Sequence, residues 1–197
     1  MNRQPILLVV LTLAGAIILG QVSIGRAEVS ELKAGSWSGG GALGFLGNTP
    51  DKGFDFALKG HADYFVSNSF SVGPLAQYAG AGSDFLFGLS LQAKYWWNIP
   101  GYENRARLVM QGGIGFAKAG IGGTEVQAPN GTPITAGQLS TSFLIPLGVG
   151  VDYVVTNTMA LMADFLLNFT DLGNNVHGDD QSGHTNIMPG LYFGLRF

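Results

Sequence analysis

The chain has no cysteine, which excludes disulfides, thiolate metal sites, a catalytic thiol and a lipidated cysteine anchor. Charge is scarce. Asp, Glu, Lys and Arg make up 12% of the 197 residues, about half of the roughly 25% usual in a soluble domain. Much of the surface is therefore expected to face something other than water. Positive charge is not in excess: 10 Lys and Arg against 13 Asp and Glu leave a formal net charge of −3, so no nucleic-acid footprint is expected. With 46% hydrophobic residues, intrinsic disorder is excluded as well. Long apolar runs are missing too. Beyond Ala27 none approaches the roughly 18 residues of a membrane-spanning helix, so a transmembrane helix bundle is ruled out. Glycine is the one residue in surplus. Its 31 copies exceed twice the average usage of about 7%, without the triplet repeat of collagen.

The N-terminus reads as an export signal. Arg3 supplies a positive start, and residues Ile6 to Leu19 are almost wholly apolar. Gly25-Arg26-Ala27 places small residues three and one before a cut after Ala27. The apolar core, about 14 residues, is short of the roughly 20 needed to span a bilayer. Residues 1–27 are thus expected to be a cleavable signal peptide and 28–35 a short leading segment. Residues 36–197 form the domain proper. Loss of Arg3 and Arg26 takes the formal charge from −3 to −5.

The remaining chain alternates with period two, the mark of strands with two different faces. Phe54, Phe56, Leu58, Ala62, Tyr64 and Val66 share one face, and Asp55, Lys59, His61, Asp63 and Phe65 the other. The pattern recurs over 85–97, 107–116, 142–153, 161–170 and 186–197. Weaker versions cover Trp37 to Phe45 and Ser69 to Ala79, the latter interrupted by Pro74, an unusual residue within a strand. Eight strands are expected, many long enough for a tilted bilayer crossing of about 9–11 residues. Turns at 67–69, 155–158 and 98–105 are tight or medium. Loops at 46–53, 79–83, 120–138 and 171–184 fall at the other end. The fold class expected is all-β, an eight-stranded antiparallel up-and-down transmembrane β-barrel, whose strands run even in number with short periplasmic turns and longer outer loops.

One face is uniformly apolar, with aromatics near both strand ends, as lipid and two interfacial girdles require. The other combines small residues with charge: Asp55, Asp63, Asp152 and Asp164 against Lys59, Lys94, Arg107 and Arg196, with His61 and Gln111 as polar partners. An eight-stranded barrel has an interior just filled by side chains. These residues are therefore expected to form a structural ion-pair network; a narrow channel is the alternative.

The ending Leu191-Tyr192-Phe193-Gly194-Leu195-Arg196-Phe197 resembles the insertion signal of bacterial outer-membrane proteins, with alternating Leu191, Phe193, Leu195 and a terminal Phe197. Together with the signal peptide and eight strands, residues 36–197 resemble the small OmpA-like and OmpX-like barrels. The resemblance implies residence in the outer membrane among lipid and lipopolysaccharide, and recognition by the barrel assembly machinery during insertion. With the chain ending at Phe197, no cell-wall-binding domain is expected.

Chemistry-bearing clusters are weak. His61 and Asp63 could be a base and its orienter, but no serine is set beside them by sequence, and a satisfied interior histidine is the better reading. His177, Asp179, Asp180 and His184, with Asp171, could hold a divalent cation, but match no tight spacing and read as a solvated acidic loop. Some small outer-membrane barrels are lipid A deacylases with His and Ser two apart. Here His184 is followed by Thr185 and Asn186, and His61 by Ala62 and Asp63, so the nucleophile is missing. Gly39-Gly40-Gly41 and Gly120-Ile121-Gly122-Gly123 lack the Lys-Ser/Thr of a phosphate loop. No catalytic residue, cofactor or metal site is assigned, and no enzymatic activity is expected. The exported protein should begin within a few residues of Glu28 on N-terminal sequencing. An intact Met1 would contradict the signal-peptide reading.

Overall fold

A computed structural model describes residues 32–49, 53–81, 84–102, 105–127, 133–172 and 186–197. The expected signal peptide and the acidic part of the last loop lie outside them. Eight strands account for nearly all of the described chain: β1 (Trp37–Gly47), β2 (Phe54–Ser67), β3 (Phe70–Ala81), β4 (Asp84–Asn98), β5 (Ala106–Gln127), β6 (Pro133–Thr156), β7 (Met159–Thr170) and β8 (Asn186–Arg196). Each pairs antiparallel with its sequence neighbour, and β1 pairs with β8, so the sheet closes into a barrel.

The closing seam runs from Gly40↔Arg196 to Leu46↔Gly190. It ends in a reciprocal pair: the Phe197 amide donates to the Gly39 carbonyl at 2.8 Å, and the Gly39 amide to the Phe197 carbonyl at 3.0 Å. The terminal residue thus belongs to the sheet. Glycines let the seam's side chains fit. A methyl group on inward Gly40 would lie 2.6 Å from the His61 ring, and one on Gly44 would press on the Leu191 carbonyl and come within 2.8 Å of the Tyr192 Cα.

The alternation seen in the sequence is the alternation of burial. On β2, Asp55, Ala57, Lys59, His61, Asp63 and Phe65 are buried, while Phe54 is 79% exposed and Phe56 51%. Trp37, Leu43, Leu91, Ile114, Leu147 and Phe193 are likewise more than two-fifths exposed. This is an apolar surface turned outward. Its aromatics gather toward the two ends, with Trp37 and Tyr64 rings 5.2 Å apart at the turn end and Phe45 and Phe56 6.3 Å apart, edge to face, toward the loop end.

Strand prolines are accommodated by local gaps. Pro74 stays in register with Leu91 of β4, but the β2–β3 ladder skips from His61↔Leu75 to Tyr64↔Val72. Pro146 stays opposite Asn168 of β7 while the β5–β6 ladder skips from Gly112↔Leu147 to Gly115↔Leu144. A residue without an N–H loses bonding on one side only.

Two expected loops are mostly strand. The chain predicted to loop over 79–83 is paired as far as Ala81↔Asp84. The larger correction concerns 120–138: β5 and β6 continue through it, paired out to Gln127↔Pro133, with a register shift between Ile121 and Thr124. Gly122 and Gly123, expected within that loop, sit at the irregularity. The β-branched Thr124 and Val126 then pair with Ala136 and Ile134, residues whose shape suits a pleated strand. The pair is thus a hairpin that outruns the neighbouring strands, since β5 meets β4 only up to Gly120 and β6 meets β7 only from Leu144.

Closure makes the seam intolerant of bulk. Gly44→Val should destabilise the folded barrel by about 1–3 kcal/mol, seen as a lower urea midpoint in lipid vesicles. An unchanged midpoint would mean that β1 and β8 are not packed this tightly.

Candidate functional site

The alternate face of each strand delivers polar side chains to a shared interior, where they form three charged clusters and one neutral one, stacked along the axis. Nearest the turns, Asp152 of β6 accepts two hydrogen bonds from Arg196 of β8, Nε to Oδ2 at 2.8 Å and Nη2 to Oδ1 at 2.9 Å. This bidentate geometry is the strongest arrangement available to the pair. Arg107 of β5 approaches the same carboxylate at 3.5 Å and donates from Nε to the Asn98 Oδ1 at 3.2 Å. Arg196 also donates to Ser38 Oγ at 3.2 Å, and its guanidinium stacks 5.1 Å from the Trp96 ring.

In the middle, Lys94 donates to Asp63 Oδ2 at 3.0 Å. His61 Nε2 lies 3.3 Å from that same oxygen, but the approach is not a hydrogen bond, and both ring nitrogens lack a protein partner. The expected satisfied histidine is therefore in contact with Asp63 without a hydrogen bond to it. Ser90 Oγ and the Gln92 amide are also buried without a protein partner, a lining of the kind that holds internal water. Alongside, Lys59 pairs with Asp164, whose other oxygen lies 3.5 Å from the Gln111 amide.

Further toward the loops the network becomes neutral. Gln77 and Asn168 exchange amide hydrogen bonds, both 3.1 Å, and the Tyr192 hydroxyl donates to Gln77 Oε1 at 3.0 Å. Tyr192 also lies 5.4 Å under the Lys59 ammonium. Sequence reasoning assigned none of these three a role, nor Trp96, whose indole N–H donates to Ser71 Oγ at 2.9 Å. The available signal was their position on the same alternate face as the charges. Asp55 is buried near the outer end of β2, opposite Leu46, away from the lysines of the middle cluster.

The polar stack is bounded by apolar side chains at both ends. Phe65, Trp96 and Val109 cluster at the turn end, and Leu32 of the leading segment packs on them. That segment is tied down by the Gly35 amide on the Phe65 carbonyl at 2.7 Å and the Ala34 amide on Asn68 Oδ1 at 3.1 Å. Toward the loops, Leu46, Leu86, Leu144, Leu166, Leu172 and Met188 fill the interior. The inward face is thus not only small and charged, as the sequence implied. Both faces are apolar at some strand ends, as at Phe65-Val66 and Trp96-Trp97.

No protein-family profile matches the chain, and no curated protein matches it. Solved structures do. The N-terminal β-barrel domain of Pseudomonas aeruginosa OprF superposes with a TM-score of 0.53 at 16% identity, over 82% of this chain and 97% of that one. Neisserial surface protein A gives a TM-score of 0.53 at 16% identity, over 81% and 94%. The fold is that of the small eight-stranded outer-membrane barrels. At this identity the likeness concerns architecture, and the interior clusters are properties of this chain.

A shared carboxylate makes the first cluster sensitive. Asp152→Asn leaves two buried guanidinium groups short of their counter-charge and should cost about 3–5 kcal/mol. Replacing a whole pair, Lys59→Met with Asp164→Leu, should be neutral or stabilising. Urea unfolding in lipid vesicles checks both, and an Asp152→Asn barrel as stable as the parent would show that the cluster does not hold the strands.

Proposed function

We propose that this chain is an integral protein of the bacterial outer membrane that acts without catalysis, as a rigid barrel presenting its outer segments to lipopolysaccharide, surfaces or partners. The observation that carries the reading is the inversion of polarity. A closed sheet turns Leu, Phe, Ile and Val outward and buries Asp55, Lys59, Asp63, Lys94, Arg107, Asp152, Asp164 and Arg196 within, which is stable only where the surroundings are apolar. The likeness in fold to OprF and to neisserial surface protein A supports the location. An export signal over residues 1–27 and a C-terminal insertion signal of Leu191, Phe193, Leu195 and Phe197, read by the assembly machinery, belong to the same proposal. So does the paired position of Phe197 beside Gly39: recognition by strand pairing would engage an edge that later becomes the closing seam.

The protruding β5–β6 hairpin and the last loop are the contact regions on this reading. The narrow-channel alternative needs a continuous polar path. The ion pairs occupy the middle of the interior, and apolar side chains fill both ends. A lipid A hydrolase is disfavoured because His61 and Asp63 are enclosed; His184 lies outside the described residues.

Three measurements test this. The protein should fractionate with outer membranes and migrate faster on gels before heating than after. Recovery as a soluble periplasmic protein would refute the location. In planar bilayers it should be silent, and discrete conductance steps would favour the channel.

A further inference from the structure

Lys118 departs from the pattern that the charges along the middle of the wall follow, Asp84 at the loop end of β4 being half-buried. Asp55, Lys59, Asp63, Lys94, Arg107, Asp152, Asp164 and Arg196 are all buried within the barrel. Lys118, on β5, shares its face with the exposed Ile114 and Phe116 and is itself exposed. Among the described side chains of the strands it is the one charge on the outward apolar surface.

Its height is as specific as its direction. Trp97, in the turn-end girdle, pairs with Leu108. Lys118 lies ten residues further along the same strand, a rise of roughly 25 Å for a strand tilted by about 40°. That equals the usual height of the apolar band, about 25 Å, so the ammonium stands at its outer edge. Its row across the sheet holds Tyr78 of β3, Phe87 of β4 and Thr141 of β6. The row thus offers hydroxyls on either side of the cation and an aromatic ring beside it. Beyond the ladder pairs of its backbone, no described side chain bonds or pairs with the Lys118 ammonium. A lysine that projects from an apolar wall at this depth extends its head to the interface and meets headgroup anions.

We propose that Lys118, with Thr141 beside it, is a docking point for a lipid A phosphate of the surrounding outer leaflet. The assignment rests on the outer-membrane reading and names one contact within it. The choice of lipid A follows from the side of the band: the cation lies at the end where the long connections emerge, the end expected to face outside.

The test is native mass spectrometry of the full exported chain extracted from outer membranes, with diphosphorylated lipid A, dephosphorylated lipid A and phosphatidylglycerol as probes. Wild type should retain diphosphorylated lipid A. Lys118→Gln should retain about fivefold less, and Lys118→Arg should match wild type. Dephosphorylated lipid A should bind wild type no better than diphosphorylated lipid A binds Lys118→Gln. Equal retention by wild type and Lys118→Gln overturns the site. Equal retention of phosphatidylglycerol overturns the assignment to lipid A. Fractionation separates the two levels: a Lys118→Gln barrel in the outer membrane with undiminished lipid A refutes this contact alone, whereas wild-type protein outside that membrane refutes the location and the contact together.

Discussion

Backbone polar groups have no water to bond with in an apolar medium, so a sheet that spans one must close on itself. That constraint organises the rest of this molecule. It requires β1 and β8, the most distant strands in sequence, to pair over Gly40 to Leu46 and Gly190 to Arg196. It draws the last residue into a reciprocal bond with Gly39. It also explains where glycine is concentrated, since eight strands enclose little volume and side chains such as His61 and Tyr192 need an opposing residue without a Cβ. Closing this small a barrel and filling it are one packing problem.

Once the outward face is committed to lipid, charged groups along the middle of the wall must go inward, where solvation is poor. Burying an ion is tolerable only beside a counter-ion with its hydrogen bonds satisfied. The interior meets this condition unequally. Asp152 and Arg196 are well matched; His61, Ser90 and Gln92 keep unused capacity. Such a network contributes less to net stability than to a single register. A one-residue slip of β6 or β8 would place Asp152 or Arg196 in the lipid. The ion pairs therefore exclude alternative pairings that the hydrogen-bond ladder alone would permit.

The barrel was legible in the sequence because its two solvents differ so sharply. Over Phe54 to Val66 each residue states its side, and the positions of Asp63, Lys94, Asp152 and Arg196 on one common surface follow from parity alone. Partner choice did not follow. Parity places Asp63 with several cations, and only the three-dimensional register selects Lys94 over His61. Parity also put Phe65 on the inward face and separated Trp96 from Trp97, but that these inward aromatics close the turn end, with Trp96 bonded to Ser71, shows only in the structure. The β5–β6 extension was hidden for a different reason. Beyond the membrane edge no face is committed to lipid, so the alternation fades at Gly120 to Gly123 even though pairing continues.

The same logic locates where function can reside. The charged interior is bounded by apolar side chains toward both ends, and the fold itself is shared with proteins only 16% identical. Folds of this kind supply a frame, and activity is carried by what is grafted on it. Among the described residues two features depart from a minimal barrel: a hairpin that outruns its neighbours on both sides, and Lys118, a cation on the outward apolar wall near its loop end. Neither is required for closure, and each costs something: unpaired strand edges in the first case, a charge beside hydrocarbon in the second. Features that run against the local physics of the fold are the ones that interactions outside the fold must offset, and both lie at the loop end.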